Sequence, residues 1–501
     1  MTSSGQGVLN RSDWSMLVAG EWVGSRAGTT FESLNPTTGD TWTVVPDGDK
    51  ADVDHAVRSA HHAFQSSDWR GRSATARGDI VRRIAATIAE HAEELAQLET
   101  RESGKLLRET RALLSYVPRF YEYYAGLADK IEGKTFPLDK PDMLAYSTRE
   151  PLGVVAMILP WNSPNYLTAV KLAPALVTGN TVVIKPSEHA ATPLLRLAEL
   201  CHEVGLPPGV LNVVTGSGAA TGSALAAHPL VRRIAFTGGT ETGRRIVASS
   251  ASNLARLSLE LGGKSANIIF ADADLDNAVT GVIAGVFAAS GQSCVAGSRV
   301  LVHESIAQEV TERLVERAKG LRMGPPDEES TEVGPLALHS QIQRVSSILD
   351  DARSNGATVV SGGTWVDGVV QPGWYLPPTV VTNPGPSVVI TQELFAPVAS
   401  ILTFKTEAEA VGLANSTDFG LAAGVWTRDV GRAHRVASDL SCGIVWVNTY
   451  RATSPMVPFG GRASSGYGME AGIEGIESYL ATKSIWVNLS EGSMPDPFVM
   501  R

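Results

Sequence analysis

The chain has 501 residues, a formal net charge of −10, and 43% hydrophobic against 19% charged residues. That is the make-up of a globular chain of roughly two to four domains, and the acidic balance without a long basic run excludes nucleic acid as an expected partner. Three cysteines cannot form a disulfide framework, residues 1–7 lack a positively flanked apolar leader, and no apolar run reaches the roughly 18 residues of a membrane span. A cytoplasmic location away from membranes is therefore expected.

Residues 51–128 repeat apolar positions at three and four residues, as in Ile80-Val81-Arg82-Arg83-Ile84-Ala85-Ala86-Thr87-Ile88, and read as helices. Residues 129–150 hold glycine, proline and charge, then the strand-like Met143-Leu144-Ala145-Tyr146. From residue 152 short apolar runs (152–159, 181–184, 210–214, 233–236, 266–270) alternate with amphipathic stretches. That rhythm predicts βαβ units and a parallel sheet covered on both faces. It resumes with a strand at 298–303, a helix at 306–319 and a buried strand at 444–448. The expected class is α/β: two open-sheet α/β domains, the second beginning near residue 261, plus a small β arm. The arm comes from 129–150 and a tail strand at 482–489. It either adds to a neighbouring subunit or pairs within its own chain, since an apolar edge must be covered.

Two glycine-rich turns follow strands in the first half. Gly216-Ser217-Gly218-Ala219-Ala220-Thr221-Gly222 misses the G-x-G-x-x-G fingerprint because its third glycine comes one residue late. Phe236-Thr237-Gly238-Gly239-Thr240-Glu241-Thr242-Gly243 also leaves a strand and opens a helix. Each offers free N–H groups to a phosphate, and each alone also reads as a turn that needs glycine. Two in one βαβ run favour a dinucleotide site. Lys185-Pro186-Ser187-Glu188 stands at the carboxyl end of a strand, where open sheets bind ligands. A lysine there bonds ribose or phosphate oxygens. A glutamate accepts from ribose hydroxyls and repels a 2′-phosphate, so the pair favours NAD over NADP. The plain alternative is a solvated surface pair. A P-loop is excluded, because Ala128 stands where its first glycine belongs ahead of Gly133-Lys134-Thr135.

Gly291-Gln292-Ser293-Cys294 follows the apolar stretch 278–289, a buried helix by its pattern. About thirty residues upstream lies Glu260-Leu261-Gly262-Gly263-Lys264. A thiol and a carboxylate, each on a glycine-containing turn, are the two parts needed to form a thioester and hydrolyse it. Cys201, inside an apolar helix, and Cys442, leading into a strand, read as inert core residues. Cys294 has polar and glycyl neighbours and does not. No metal is expected.

Seven motifs occur in a fixed order: Pro160-Trp161-Asn162, Lys185 to Glu188, Phe236 to Gly243, Glu260 to Lys264, Gly291 to Cys294, Gln392-Glu393-Leu394-Phe395-Ala396-Pro397, and Pro458-Phe459-Gly460-Gly461. In these the chain resembles the NAD(P)-dependent aldehyde dehydrogenase superfamily, from about Leu17-Val18-Ala19-Gly20-Glu21-Trp22 to the tail. The resemblance implies an NAD-binding domain (1–128 and 151–260, with 451–479 returning to it), a catalytic domain (261–450), and an oligomerisation arm and tail (129–150 and 480–501) that build a homodimer or homotetramer.

It also implies roles. Cys294 attacks the aldehyde, with Asn162 and the Cys294 N–H as oxyanion donors. Glu260 activates water, Lys264 positions the Glu260 turn, and Glu470 relays the proton outward. Trp161, Lys185, Glu188, Gly218, Gly222, Gly238, Gly243, Leu261, Glu393 and Phe395 hold the cofactor, which is NAD, with NADP less favoured. Ser163, Leu167, Val170, Ser293, Val295, Thr453, Val457 and Phe459 line the substrate tunnel. Small groups at Ser163, Val170 and Thr453 point to a roomy, mostly apolar tunnel for a medium-chain or aromatic aldehyde. Arg451 either meets a substrate carboxylate at the mouth or faces water. Three other readings stand beside this one: a coenzyme-A-acylating dehydrogenase, which would lack the Glu260 base; a non-catalytic member of the fold; and a plain nucleotide-binding module, which leaves Cys294 unexplained.

Overall fold

The structure is a computed structural model and describes residues 4–368, 370–494 and 496–499. Of the terminal segments read above, residues 1–3, 495, 500 and 501 lie outside the described residues.

The first sheet has eight strands in the order Glu21–Val23, Met16–Val18, Leu211–Val213, Thr181–Lys185, Val154–Ile158, Val231–Thr237, Arg256–Glu260, Gly466–Tyr467. The five central strands are parallel and the flanking pairings antiparallel. Strands Val154–Ile158 and Thr181–Lys185 are buried along their whole length, as expected of a sheet covered on both faces. Helices Lys50–Gln65 and Pro164–Val177 pack on this sheet. The first of these starts at a capping box, in which Asp49 and Asp52 each bond the other's backbone N–H. Chain order reverses between Val154–Ile158 and Val231–Thr237. That switch point opens a crevice at the carboxyl ends of the strands.

The second sheet has seven strands in the order Thr358–Ser361, Thr379–Thr382, Val398–Phe404, Arg299–His303, Ala266–Ile269, Ala422–Trp426, Ile444–Val447. All its pairings are parallel except that of Thr358–Ser361 with Thr379–Thr382. The chain passes from one sheet to the other between Glu260 and Ala266.

A third, three-stranded sheet joins Leu480–Asn488, Met143–Pro151 and Thr135–Phe136. The tail strand thus pairs within its own chain, antiparallel, from Leu480 against Pro151 to Asn488 against Met143. Phe136, Leu144 and Trp486 remain exposed on it.

Candidate active site

One cavity of about 1220 Å³ lies between the two large sheets. The carboxyl ends of first-sheet strands reach it through Ile158, Lys185, Thr237 and Glu260. The second sheet presents its opposite end. Cys294 and Val295 precede the strand Arg299–His303, and Phe395 precedes Val398–Phe404.

Cys294 sits where a helix is broken off. Helix Leu275–Val286, capped by Asp274, gives way to Ala289, Ser290 and Gly291, all with positive φ (53°, 52° and 70°). A left-handed non-glycine residue costs on the order of 1 kcal/mol, so the turn must be held by its surroundings. Glu109 accepts from the Ala289 N–H at 2.9 Å, and Ser290 Oγ donates to Gly334 O at 2.9 Å. Gln292 Oε1 accepts from the Ala337 N–H at 2.9 Å. A Cβ on Gly291 would lie 2.2 Å from the Ala396 carbonyl, so the backbone closes here only with glycine.

Burial pushes the Cys294 thiol up to about 12, and the Glu393 and Glu260 carboxyls add to this. The N–H groups of Val295 and Cys294 turn toward the sulfur and work the other way. The resting sulfur is therefore a thiol. Asn162 is beside it, with Nδ2 donating to Gln292 O at 3.2 Å.

Glu260 ends its strand 4% exposed, and neither carboxyl oxygen has a hydrogen-bond partner. Burial, then the neighbouring Glu470 carboxylate, raises its pKa well above the ordinary range; Lys171 acts in the opposite sense. Lys171 Nζ bonds Glu470 Oε2 at 2.8 Å and Thr237 Oγ1 at 2.7 Å, all buried. Two glycines let this turn lie under the site. A Cβ on Gly262 would sit 2.2 Å from Glu393 Oε2, and one on Gly263 would sit 2.5 Å from Cys294 O.

At the far end, Lys185 Nζ pairs with Glu188 Oε2 at 2.9 Å, and Gly218 N–H points at Glu188 Oε1 from 3.4 Å. Burial works to raise the Glu188 carboxyl, but Lys185 and a backbone N–H outweigh it and leave it below its ordinary value. Gly218 and Gly239 line the cavity, and a Cβ on either would meet nothing within 4 Å. That open space over the Gly218 and Gly239 backbone, beside the Lys185–Glu188 pair, fits a dinucleotide's phosphates and ribose. Glu393 accepts from the Gly263 N–H at 3.0 Å, and Arg344 donates to its carbonyl. Phe395, in a left-handed conformation, stands edge-on to Trp161 at 5.4 Å.

Most of the residues singled out above line this cavity. Three do not. Gly222 is buried behind the turn that Gly218 opens. Gly243 serves packing, because a Cβ there would lie 2.7 Å from Leu261. Lys264 is buried and without a hydrogen-bond partner; burial, then Arg299, lowers its ammonium to about 7, with Glu393 acting against them.

The cavity wall around Ser163, Val170 and Thr453 carries aromatic rings. Tyr116 and Tyr166 from two helices, Trp446 from a strand, and Phe459 line it beside these three residues. Lys105, Glu109 and Arg451 also reach the cavity, and Arg451 is half-buried rather than facing open water. Sequence reasoning missed Lys171, Lys105 and Glu109. Lys171 had a readable signal: it is a lone charge in the continuously apolar helix Pro164–Val177.

Residues 22–485 match the profile of the aldehyde dehydrogenase family. The (Z)-2-((N-methylformamido)methylene)-5-hydroxybutyrolactone dehydrogenase of Acinetobacter baylyi is 50% identical over 473 residues, 94% of this chain and 96% of that protein. The phenylacetaldehyde dehydrogenase of Pseudomonas fluorescens is 42% identical over 478 residues, 94% and 95% of the two chains. Among solved structures, betaine aldehyde dehydrogenase from Staphylococcus aureus in complex with NAD+ superposes with a TM-score of 0.96 at 38% identity, covering 99% of each chain. The chain belongs to the aldehyde dehydrogenase family and is an enzyme of that class. Among the described residues no helix is long and apolar enough to cross a membrane.

Proposed function

We propose that the protein oxidises an aldehyde to a carboxylic acid with NAD, through a thioester on Cys294 that water hydrolyses. The observation that carries this reading is that the Cys294 thiol, the Glu260 carboxyl and the Lys185–Glu188 pair open on one cavity.

Lys185, Glu188, the Gly238–Gly239 turn and Glu393 would hold the dinucleotide, and NAD when bound supplies the acceptor for the hydride lost by the substrate carbon. Cys294 Sγ passes its proton to solvent water in the cavity and bonds the carbonyl carbon. The second Asn162 N–H and the Cys294 N–H stabilise the oxyanion of that tetrahedral adduct. Loss of hydride leaves an acyl thioester. Glu260 then takes a proton from water, the hydroxide oxygen bonds the acyl carbon, and the carbon–sulfur bond breaks, the released thiolate taking a proton back from solvent. Its raised pKa suits this base role near neutral pH. Glu470 and Lys171 offer the proton a buried route away. Glu188 repels a 2′-phosphate, so NAD is preferred to NADP. The exposed Phe136, Leu144 and Trp486 of the arm suit burial against a second copy of the chain.

The acylating reading is disfavoured by Glu260, whose carboxyl faces the thiol's cavity with no internal partner. Purified protein, NAD and an aldehyde panel, with and without coenzyme A, separate the two. Reduced dinucleotide formed at the same rate without coenzyme A is expected. Strict dependence on coenzyme A overturns hydrolysis, and full turnover by Cys294→Ala overturns the covalent mechanism.

A further inference from the structure

The mechanism uses neither Lys105 nor Arg451, yet both line the cavity that holds Cys294. Lys105 is 9% exposed, and its Nζ donates to Ser163 Oγ at 2.5 Å, one residue from the oxyanion donor Asn162. The nearest carboxylate oxygen, Glu99 Oε1, is 3.7 Å away, beyond hydrogen-bond reach. Burial raises the Glu99 carboxyl, with Lys105 and Asn165 acting against it. Arg451 is held in a left-handed conformation (φ 64°), and Nη1 donates to Ala284 O at 3.0 Å. That is its one hydrogen bond among the described residues, so the rest of its fork is open. Arg451 lies close enough to Lys105 to help lower that ammonium, after burial itself.

Glu109 is the one opposing charge in the group. One of its oxygens is committed to the Ala289 N–H, and the other is buried without a partner. Arg451 itself has no carboxylate partner among the described residues, so its guanidinium faces the cavity unpaired. Open donors on a charged group hold a charged acceptor more strongly than a neutral one. A planar guanidinium matches a carboxylate in particular.

Resting on the aldehyde oxidation proposed above, we infer that Arg451, with Lys105 beside it, selects an aldehyde carrying a carboxylate at the end remote from its carbonyl. The apolar walls between would take the carbon chain, and Arg451 is a specificity residue rather than a catalytic one.

The test compares each oxo acid with the alkanal of equal length: 4-oxobutanoate with butanal, 6-oxohexanoate with hexanal. For at least one pair kcat/KM favours the oxo acid by roughly ten- to a hundredfold, the range of a hydrogen bond to a charged group. That preference shrinks as salt is raised, while the alkanal is insensitive to salt. In Arg451→Met the ratio of oxo acid to alkanal falls by roughly tenfold or more, and Arg451→Lys restores part of it. Equal losses on both members of a pair assign Arg451 a structural role and overturn the inference. So does a wild-type enzyme that oxidises alkanals without favouring any oxo acid. Oxidation of neither member overturns the aldehyde reading as well, a result distinct from both.

Discussion

The two large sheets share a switch point and use it differently. Each is parallel at its centre, and each reverses chain order beside its first strand, at Val154–Ile158 in one and Ala266–Ile269 in the other. In the first sheet the crevice at the reversal is left open, floored by Gly238 and Gly239. In the second it is filled by the protein. Asp272 accepts from Thr427 Oγ1 at 2.8 Å, from the N–H groups of Arg428 and Asp429 at 3.1 Å, and from Arg432 at 2.7 Å. A carboxylate has taken the place an anionic ligand would hold. The second sheet contributes its amino ends instead, where Cys294 and Phe395 face the first sheet's carboxyl ends. Topology alone therefore marks two possible ligand sites, and side chains decide which one is used.

The largest expected effect tests the open crevice as a reaction site. Glu260→Gln lowers steady turnover by roughly 10²- to 10⁴-fold, the usual weight of a general base. The first turnover survives as a burst of reduced dinucleotide equal to the enzyme. A steady rate near wild type would remove Glu260 from deacylation. Glu188→Ala weakens NAD by roughly ten- to a hundredfold and narrows the gap to NADP, measured by dinucleotide titration. Unchanged NAD affinity would detach the first-sheet crevice from the adenosine ribose.

Asp272→Ala, in the filled crevice, lowers stability by about 2 kcal/mol in denaturant titration and leaves the Michaelis constant for NAD unchanged. An altered constant would mean the second crevice is not merely structural. The smallest effect concerns pH. Burial holds the folded-state pKa of Glu260 above its unfolded value. Its contribution to stability is full below the unfolded carboxylate range and is lost as pH rises through the raised pKa. Glu260→Gln therefore melts about 2 °C higher than wild type at pH 8, with the difference closing toward pH 5. A difference that is constant with pH would mean Glu260 is not strained by ionisation.

Much of this was legible along the chain. Apolar runs marked four of the five parallel strands of the first sheet to within two residues, and Ala266–Ile269, Arg299–His303 and Ile444–Val447 of the second, because strands buried on both faces leave a continuous apolar signature. Arg256–Glu260, Val398–Phe404 and Ala422–Trp426 were not read. Cys294 stood out from Cys201 and Cys442 by its polar, glycyl flanks. Gly243 was harder: a glycine that binds phosphate and one that admits Leu261 look the same in sequence. Lys264 is close to the chemistry in sequence, yet its burial off the cavity lining comes from how the second sheet packs. Tyr116 and Tyr166 were missed for a related reason. The helix that carries Tyr116 lies far from the motifs in sequence, and only packing brings its ring to the tunnel.

The amino-acid sequence by itself determined the α/β class, the family, the thiol and the carboxylate, since local patterning and ordered motifs report what each segment must bury or expose. The tertiary structure alone decided which crevice stays open, which glycines face it and which charges end the tunnel. Those depend on where side chains from distant segments converge, and convergence across sheets leaves no period in the chain.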